Sequence, residues 1–321
     1  WADMFLRPDY LGCLRNEGMA TVLRDRPFRS VSWRLFLGAL PEDQTAWAKR
    51  LKDARRSYHE KAASAASDPR GAAQRDLPPN MHHPLTEESA SAWSTYFEDL
   101  ELRDVIRRDV TRTFPEEHFF EDPEIQELMI RMLFTYSKLN SDVSYRQGMH
   151  ELLAALLLVL AKEAAVVHQH PDLEAQLRLV LDPTFIEEDT YDLFEHLMID
   201  MKPFFFSDQY RRPEAHHRQT NTVSLPATQT PIVPASLIRI AIFSRLFGYG
   251  LLGKAEPTLL QKLRKLDIPP QIYGLRWIRL LLSREFSLAD TMIIWDALFA
   301  VNQNLELIDY LCVAMLTYIK D

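Results

Sequence analysis

Apolar residues in this chain recur three and four positions apart, as in Leu128, Met129, Met132, Leu133 and Tyr136, and hardly ever two. That is the period of a helix face and not of a strand. Glycine, which frees the backbone for turns, is scarce at 9 of 321 residues. The chain therefore reads as all-α. In its last third the helix punctuation is explicit: Pro257 opens PTLLQKLRKL, Pro269 and Pro270 follow, and QIYGLRWIRLLLSREF begins the next helix. Ser287 and Asp290 then make a capping-box start for TMIIWDALFA.

Two stretches break the period. Residues 61 to 92 contain AASAASDPRGAAQ and LPPNMHHP, and residues 203 to 236 end in three prolines over nine positions; both read as loop insertions. The second suggests a boundary near residue 200, dividing an N-terminal helical lobe (1–200) from a C-terminal one (201–321); a loop within one continuous helical body is the alternative.

A formal charge of −8, with cations scattered among acids, offers no basic face to a nucleic acid. The longest apolar run, Leu152 to Ala161, is too short for the roughly 20 residues that span a bilayer, so it reads as a core helix and no membrane insertion is expected. Cys13 and Cys312 stand nearly a chain length apart, and Cys312 lies in an apolar run, which suits a reducing compartment. The abrupt ends suggest a domain of a longer protein.

Two apparent chemical motifs are weak. GYGLLGKA (248–255) lacks the hydroxyl of a phosphate loop, having Ala255 there, and follows a helical rather than a strand-like segment. It reads as a glycine-punctuated helix end. The histidines at 82, 83, 168, 170, 216 and 217 show no zinc spacing, so no metal site and no cofactor of the chain's own is expected.

Two segments resist so plain a reading. In ELRDVIRRDVTRTFPEE, Leu102, Val105, Ile106 and Val110 share a helix face with Asp109, and a carboxylate there calls for a cationic partner, nearest in sequence Arg112. Pro115 should end the helix near Thr113, leaving Arg112 in its last turn at the rim. The plain alternative is a C-terminal cation balancing the helix dipole. In SDVSYRQGM, Tyr145 and Gln147 fall in a short loop before a helix starting near Met149. Its plain alternative is a capping loop in which Ser, Asp and Gln satisfy free amides and Gly148 takes an unusual backbone angle. An arginine at one rim and a glutamine at another are the two side chains that GTP hydrolysis on a sluggish GTPase lacks.

Here the chain resembles the TBC domain of Rab GTPase-activating proteins. IRRDVTR matches I-x-x-D-x-x-R at Ile106, Asp109 and Arg112, and YRQ matches Y-x-Q at Tyr145 and Gln147, with Gly148 following. RSVSWRLFLG (29–38) is similar to the opening block, and YGLRWIRLLLSREFSLADTMIIWDALF to the C-terminal one, through Trp277, Glu285, Trp295 and Asp296. The resemblance implies two helical lobes with a Rab in the groove between them, Arg112 as an arginine finger and Gln147 as a glutamine finger, both supplied in trans. Asp109 and Tyr145 would support the fingers, with Arg29 as a further brace. GTP and Mg2+ would be carried by the Rab, whose own glutamine would turn aside. The partner implied is a Rab family small GTPase, with endosomal coat or trafficking proteins beside it and a cytoplasmic location peripheral to endosomal membranes. A catalytically silent Rab-binding or trafficking scaffold is the competing reading.

Overall fold

The structure, a computed structural model, describes residues 1–66, 92–169, 175–205, 250–268, 274–301 and 305–320. Most of both expected insertions, the histidines at 82, 83, 170, 216 and 217, Gly248 and the segment before it lie outside them. The described residues hold helices and turns and no strand. In order these are α1 (Ala2–Phe5), α2 (Tyr10–Met19), α3 (Arg29–Phe36), α4 (Trp47–Ala65), α5 (Ala92–Val110), α6 (Pro123–Leu139) and α7 (Met149–His168). They continue with α8 (Ala175–Val180), α9 (Ile186–Phe205), α10 (Leu251–Ala255), α11 (Pro257–Lys265), α12 (Gly274–Arg279), α13 (Leu288–Val301) and α14 (Leu307–Tyr318).

The body is built around α7. Every residue from Leu152 to Leu160 is buried, because α3, α5, α6 and α9 surround the helix on all sides. An apolar run without a polar face is what such a position requires. The surrounding helices show the complementary pattern: α4 turns Trp47, Leu51, Ala54 and Tyr58 inward at intervals of four, three and four, and leaves its other faces polar. Arg34 of α3 and Arg55 of α4 both reach the buried Asp189 of α9, at 3.3 and 2.8 Å. α6 begins where Asp122 caps the Glu124 amide at 2.9 Å and Pro123 takes the first helical position, whose amide needs no partner.

The division expected near residue 200 falls inside α9, which continues through Pro203 to Phe205, and the start of the first insertion, Lys61–Ala65, belongs to α4. Buried residues from Met4 to Leu316 form one cluster. The two ends of the chain meet in it. α2 lies along α13, where the Arg15 guanidinium donates to the Ala300 carbonyl at 2.8 Å across 285 residues of sequence. Trp33 of α3 donates its indole N–H to Asp296 of α13 at 2.8 Å and packs on Trp295 and Phe299. The opening block and the C-terminal block are thus two sides of one contact.

The helix expected through QIYGLRWIRLLLSREF ends at Arg279. Leu280, Leu281, Leu282 and Ser283 are all buried, which no helix can achieve on one face, and Leu281 and Leu282 take φ of 45° and 66°. The Trp295 indole holds this turn by donating to the Leu281 carbonyl at 2.9 Å. Pro257 and the Ser287–Asp290 box open their helices as the sequence predicts, with the Asp290 amide donating to Ser287 Oγ at 3.2 Å. Cys312 is buried in α14.

Glu163 of α7 accepts from the amide and hydroxyl of Ser30 on α3, and burial pushes its carboxyl up to about 7. A carboxyl raised in the folded state binds protons there before it does in the unfolded chain, so stability falls as pH rises towards 7. His150, whose imidazole burial lowers to about 4, has the opposite slope, which fades over about one unit above the ordinary histidine value of about 6.5 and is there the smaller of the two. From pH 6.5 to 8 the wild-type Tm should therefore decline, and Glu163→Gln should flatten that decline; thermal melts in which the two proteins run parallel would refute it.

Candidate functional site

α5 ends at Val110, short of the expected Thr113. The Thr113 amide donates to the Val110 carbonyl at 3.1 Å, and Phe114 takes φ 39° ahead of Pro115. Arg112 therefore sits in the turn beyond the helix and not in its last turn. Ile106, Asp109 and Val110 face inward as expected, whereas Val105 is 41% exposed, because the buried face is only a narrow stripe at this end of α5. The Arg112 side chain is 58% exposed and that of Asp109 8%. Of the pair, then, the carboxylate is buried and the arginine stands at the rim, as its cationic-partner role required.

The second loop runs from Asn140 to Gly148, between α6 and α7. Lys202 of α9 fixes its start, donating to Asn140 Oδ1 at 2.9 Å and pairing with Asp142 at 2.9 Å. Its end is fixed by Gly148, the N-cap residue of α7, at φ 106°. Among the described residues no side chain of Ser141, Asp142, Ser144 or Gln147 accepts from an amide at the start of α7, so the capping reading of Ser, Asp and Gln fails. Gln147 is exposed and has no hydrogen bond with the described residues. A β-carbon on Gly148 would stand 2.5 Å from Leu280 Cδ2. Gly148→Ala is accordingly expected to cost about 1–2 kcal/mol from the left-handed backbone alone, read as a lower midpoint in chemical denaturation.

Asp109 joins the two loops. One carboxylate oxygen accepts from the Arg112 guanidinium, and the other accepts from the Tyr145 hydroxyl at 2.8 Å. Burial and the neighbouring Asp109 charge push the Tyr145 hydroxyl above its ordinary range, so it stays a donor. Behind Tyr145 stands His150, with Nδ1 at 2.9 Å from the phenol oxygen and 3.3 Å from the Gly148 amide nitrogen. Protonated on Nδ1, it donates to Tyr145; protonated on Nε2, it accepts from Gly148. Glu151 follows, its carboxylate accepting from Ser283 Oγ at 3.1 Å and Arg284 Nε at 2.7 Å. Sequence reasoning missed His150, Glu151, Ser283 and Arg284. The signal was present in MHELLAALLLVLA, where two polar side chains open a helix with no solvent face.

Arg29 is not part of this group. Its Nε pairs with Asp296 at 3.0 Å, and the adjacent Ser30 meets Glu163 in the fourth turn of α7, about 20 Å from Met149 at 1.5 Å rise per residue. The brace it supplies is between α3 and α13. Of GYGLLGKA, the described part opens a helix, with Gly250 as the N-cap residue of α10 and Leu252 fully buried, and the helix end expected at its glycines lies outside the described residues.

A model of the Rab-GTPase-TBC domain matches residues 27–220 and 238–321. The chain belongs to the RabGAP-TBC family. Among relatives, TBC1 domain family member 5 of Mus musculus is 36% identical over the whole chain, which covers 39% of it, and the Homo sapiens protein is also 36% identical, with 40% covered. TBC1 domain family member 13 of Homo sapiens is 24% identical over 96% of the chain and 85% of its own length. This TBC domain thus spans about two fifths of the length of its member 5 relatives. The Ypt/Rab-GAP domain of Gyp1p shares the fold, with a TM-score of 0.67 at 16% identity, covering 99% of this chain and 83% of that one. No helix among the described residues is long and apolar enough to cross a membrane.

Proposed function

We infer that this TBC domain accelerates GTP hydrolysis on a Rab GTPase by lending it Arg112 and Gln147. The reaction is attack of water on the γ-phosphorus, with cleavage of the bond to the β-phosphate oxygen to leave GDP and inorganic phosphate. Arg112 neutralises charge that grows on the phosphoryl oxygens, and Gln147 orients the attacking water. The nucleotide and its Mg2+ belong to the Rab. The observation that carries this reading is the Asp109 carboxylate, which ties the arginine turn to the glutamine loop through Tyr145 while Arg112 and Gln147 stay exposed. A helix-capping role would instead have satisfied Gln147 within the chain.

The experiment is a single-turnover hydrolysis assay across a panel of GTP-loaded Rabs. Acceleration of at least one Rab supports the assignment; binding without acceleration of any would replace it with the scaffold reading. Action at endosomal membranes, with coat or trafficking partners, extends the same proposal through the resemblance of DVTRTFPEEHFF, YRQGMHELLA and LIDYLCVAMLTYIKD to the endosomal branch of the family. Imaging of the full-length protein in cells tests it.

A further inference from the structure

We propose that Glu151 and Arg284 are positioning residues for the glutamine loop, the segment Leu280–Arg284 acting as a clamp that the C-terminal part of the chain closes over the first turn of α7. The inference rests on the proposed activity for its kinetic readout, and its geometry stands apart from it. Three contacts converge on that turn: Leu280 lies against the bare Cα side of Gly148, Ser283 donates to Glu151 at 3.1 Å, and Arg284 donates to Glu151 at 2.7 Å. Glu151 is 3% exposed, so its charge is kept in the interior by these donors and by the free amides at the start of α7.

From Glu151 the contacts run back toward both loops. His150, the neighbouring residue, has Nε2 at 3.5 Å from Glu151 and Nδ1 at 2.9 Å from Tyr145, and Tyr145 donates to the carboxylate that holds Arg112. Gln147 itself has no contact of this kind among the described residues, so the direction of its amide is set within them by the flanking backbone at Arg146 and Gly148. A side chain placed solely by its backbone is sensitive to small shifts, and a displacement of about 1 Å in a catalytic group costs about a hundredfold in rate. The clamp supplies the missing restraint from outside the loop. It acts on a geometry that matters in the transition state and not on the surface that first meets a Rab.

The test compares the 321-residue chain with Arg284→Ala, Arg284→Lys and Glu151→Gln, using GTP-loaded Rab at varied concentration well below the Tm of each variant. Arg284 is half exposed, so its alanine variant is expected to fold. Arg284→Ala should lower kcat about tenfold to a hundredfold with KM within twofold, and Arg284→Lys, which restores a donor, should recover part of the loss. A kcat within twofold of wild type in both Arg284→Ala and Glu151→Gln overturns the proposal, as does a loss confined to KM. Hydrogen exchange at amides 145–152, measured without any Rab, decides the clamp independently of activity: exchange about tenfold faster in Arg284→Ala, with α4 and α9 unchanged, is expected, and equal exchange overturns it. Absence of stimulation by the wild-type chain, by contrast, would sink the proposed function and leave the exchange result to judge the clamp.

Discussion

Arg112→Ala is expected to remove about 10³-fold or more of the stimulated hydrolysis rate while leaving the melting temperature almost unchanged. The two halves of that statement have different sources. At 1.36 kcal/mol per factor of ten, a loss of that size is about 4 kcal/mol of transition-state stabilisation, far beyond anything Arg112 contributes to the fold. Its side chain is 58% exposed and screened by water even though Asp109 is buried, which keeps the pair near the upper end of the about 0–1 kcal/mol of surface ion pairs. Asp109 would keep its bond from Tyr145 in the variant. Lysine at position 112 should recover little, because a point charge cannot reproduce the planar fork that grips two phosphoryl oxygens. Gln147→Ala should behave the same way, with a loss of about 10²–10³-fold as for other single donors aimed at a transition state. Single-turnover hydrolysis and a thermal melt on the same samples check both variants; undiminished stimulation in the two would end the finger assignment.

Asp109→Ala is expected to fail on both counts. The carboxylate is buried and is the only group that touches both Arg112 and Tyr145 among the described residues. Its removal leaves the Tyr145 hydroxyl, in a protein interior, with only the imidazole of His150 beside it. Hydrogen bonds to charged groups contribute about 1.5–3 kcal/mol, so the unfolding free energy should fall by about 2 kcal/mol. A fully buried ion pair would cost more when broken, but the exposed arginine makes that larger figure inapplicable here. Arg112 loses its restraint at the same time, and the rate should fall even at temperatures where the variant is folded. Asp109→Asn, which keeps one acceptor oxygen, should recover stability better than rate. Unaltered unfolding in Asp109→Ala would show that the carboxylate is dispensable to the packing around Tyr145.

The helical class, the start of α7 at Met149 and the burial of Asp109 could be read from local periodicity because each depends on side chains within a turn or two. The place of Arg112 at the rim could be read too, but not its position beyond the helix, since that depends on where Thr111–Phe114 leave α5. Nor could the partner of Arg29: Asp296 is 267 positions away, and no period links them. The turn at Leu280–Ser283 was hidden for a different reason. Its three leucines suit a helix by propensity, and tertiary packing overrides that preference by burying all of them at once. His150 and Glu151 were legible in part, as polar residues at the head of an apolar helix, but the partners of Glu151, in a loop more than 130 residues on, were not.

The contact of α2 with α13 has a consequence for how the domain comes into being. Arg15 finds its carbonyl partner 285 residues later, so α2 leaves a ribosome well before the helix that covers one of its faces has been made. Native contacts of such sequence separation slow folding and leave apolar surface open to misassociation meanwhile. The family match begins at residue 27, beyond α2. A version trimmed to that match would lack the strip that seals α13, and its difficulty would be one of maturation during synthesis before it became one of catalysis.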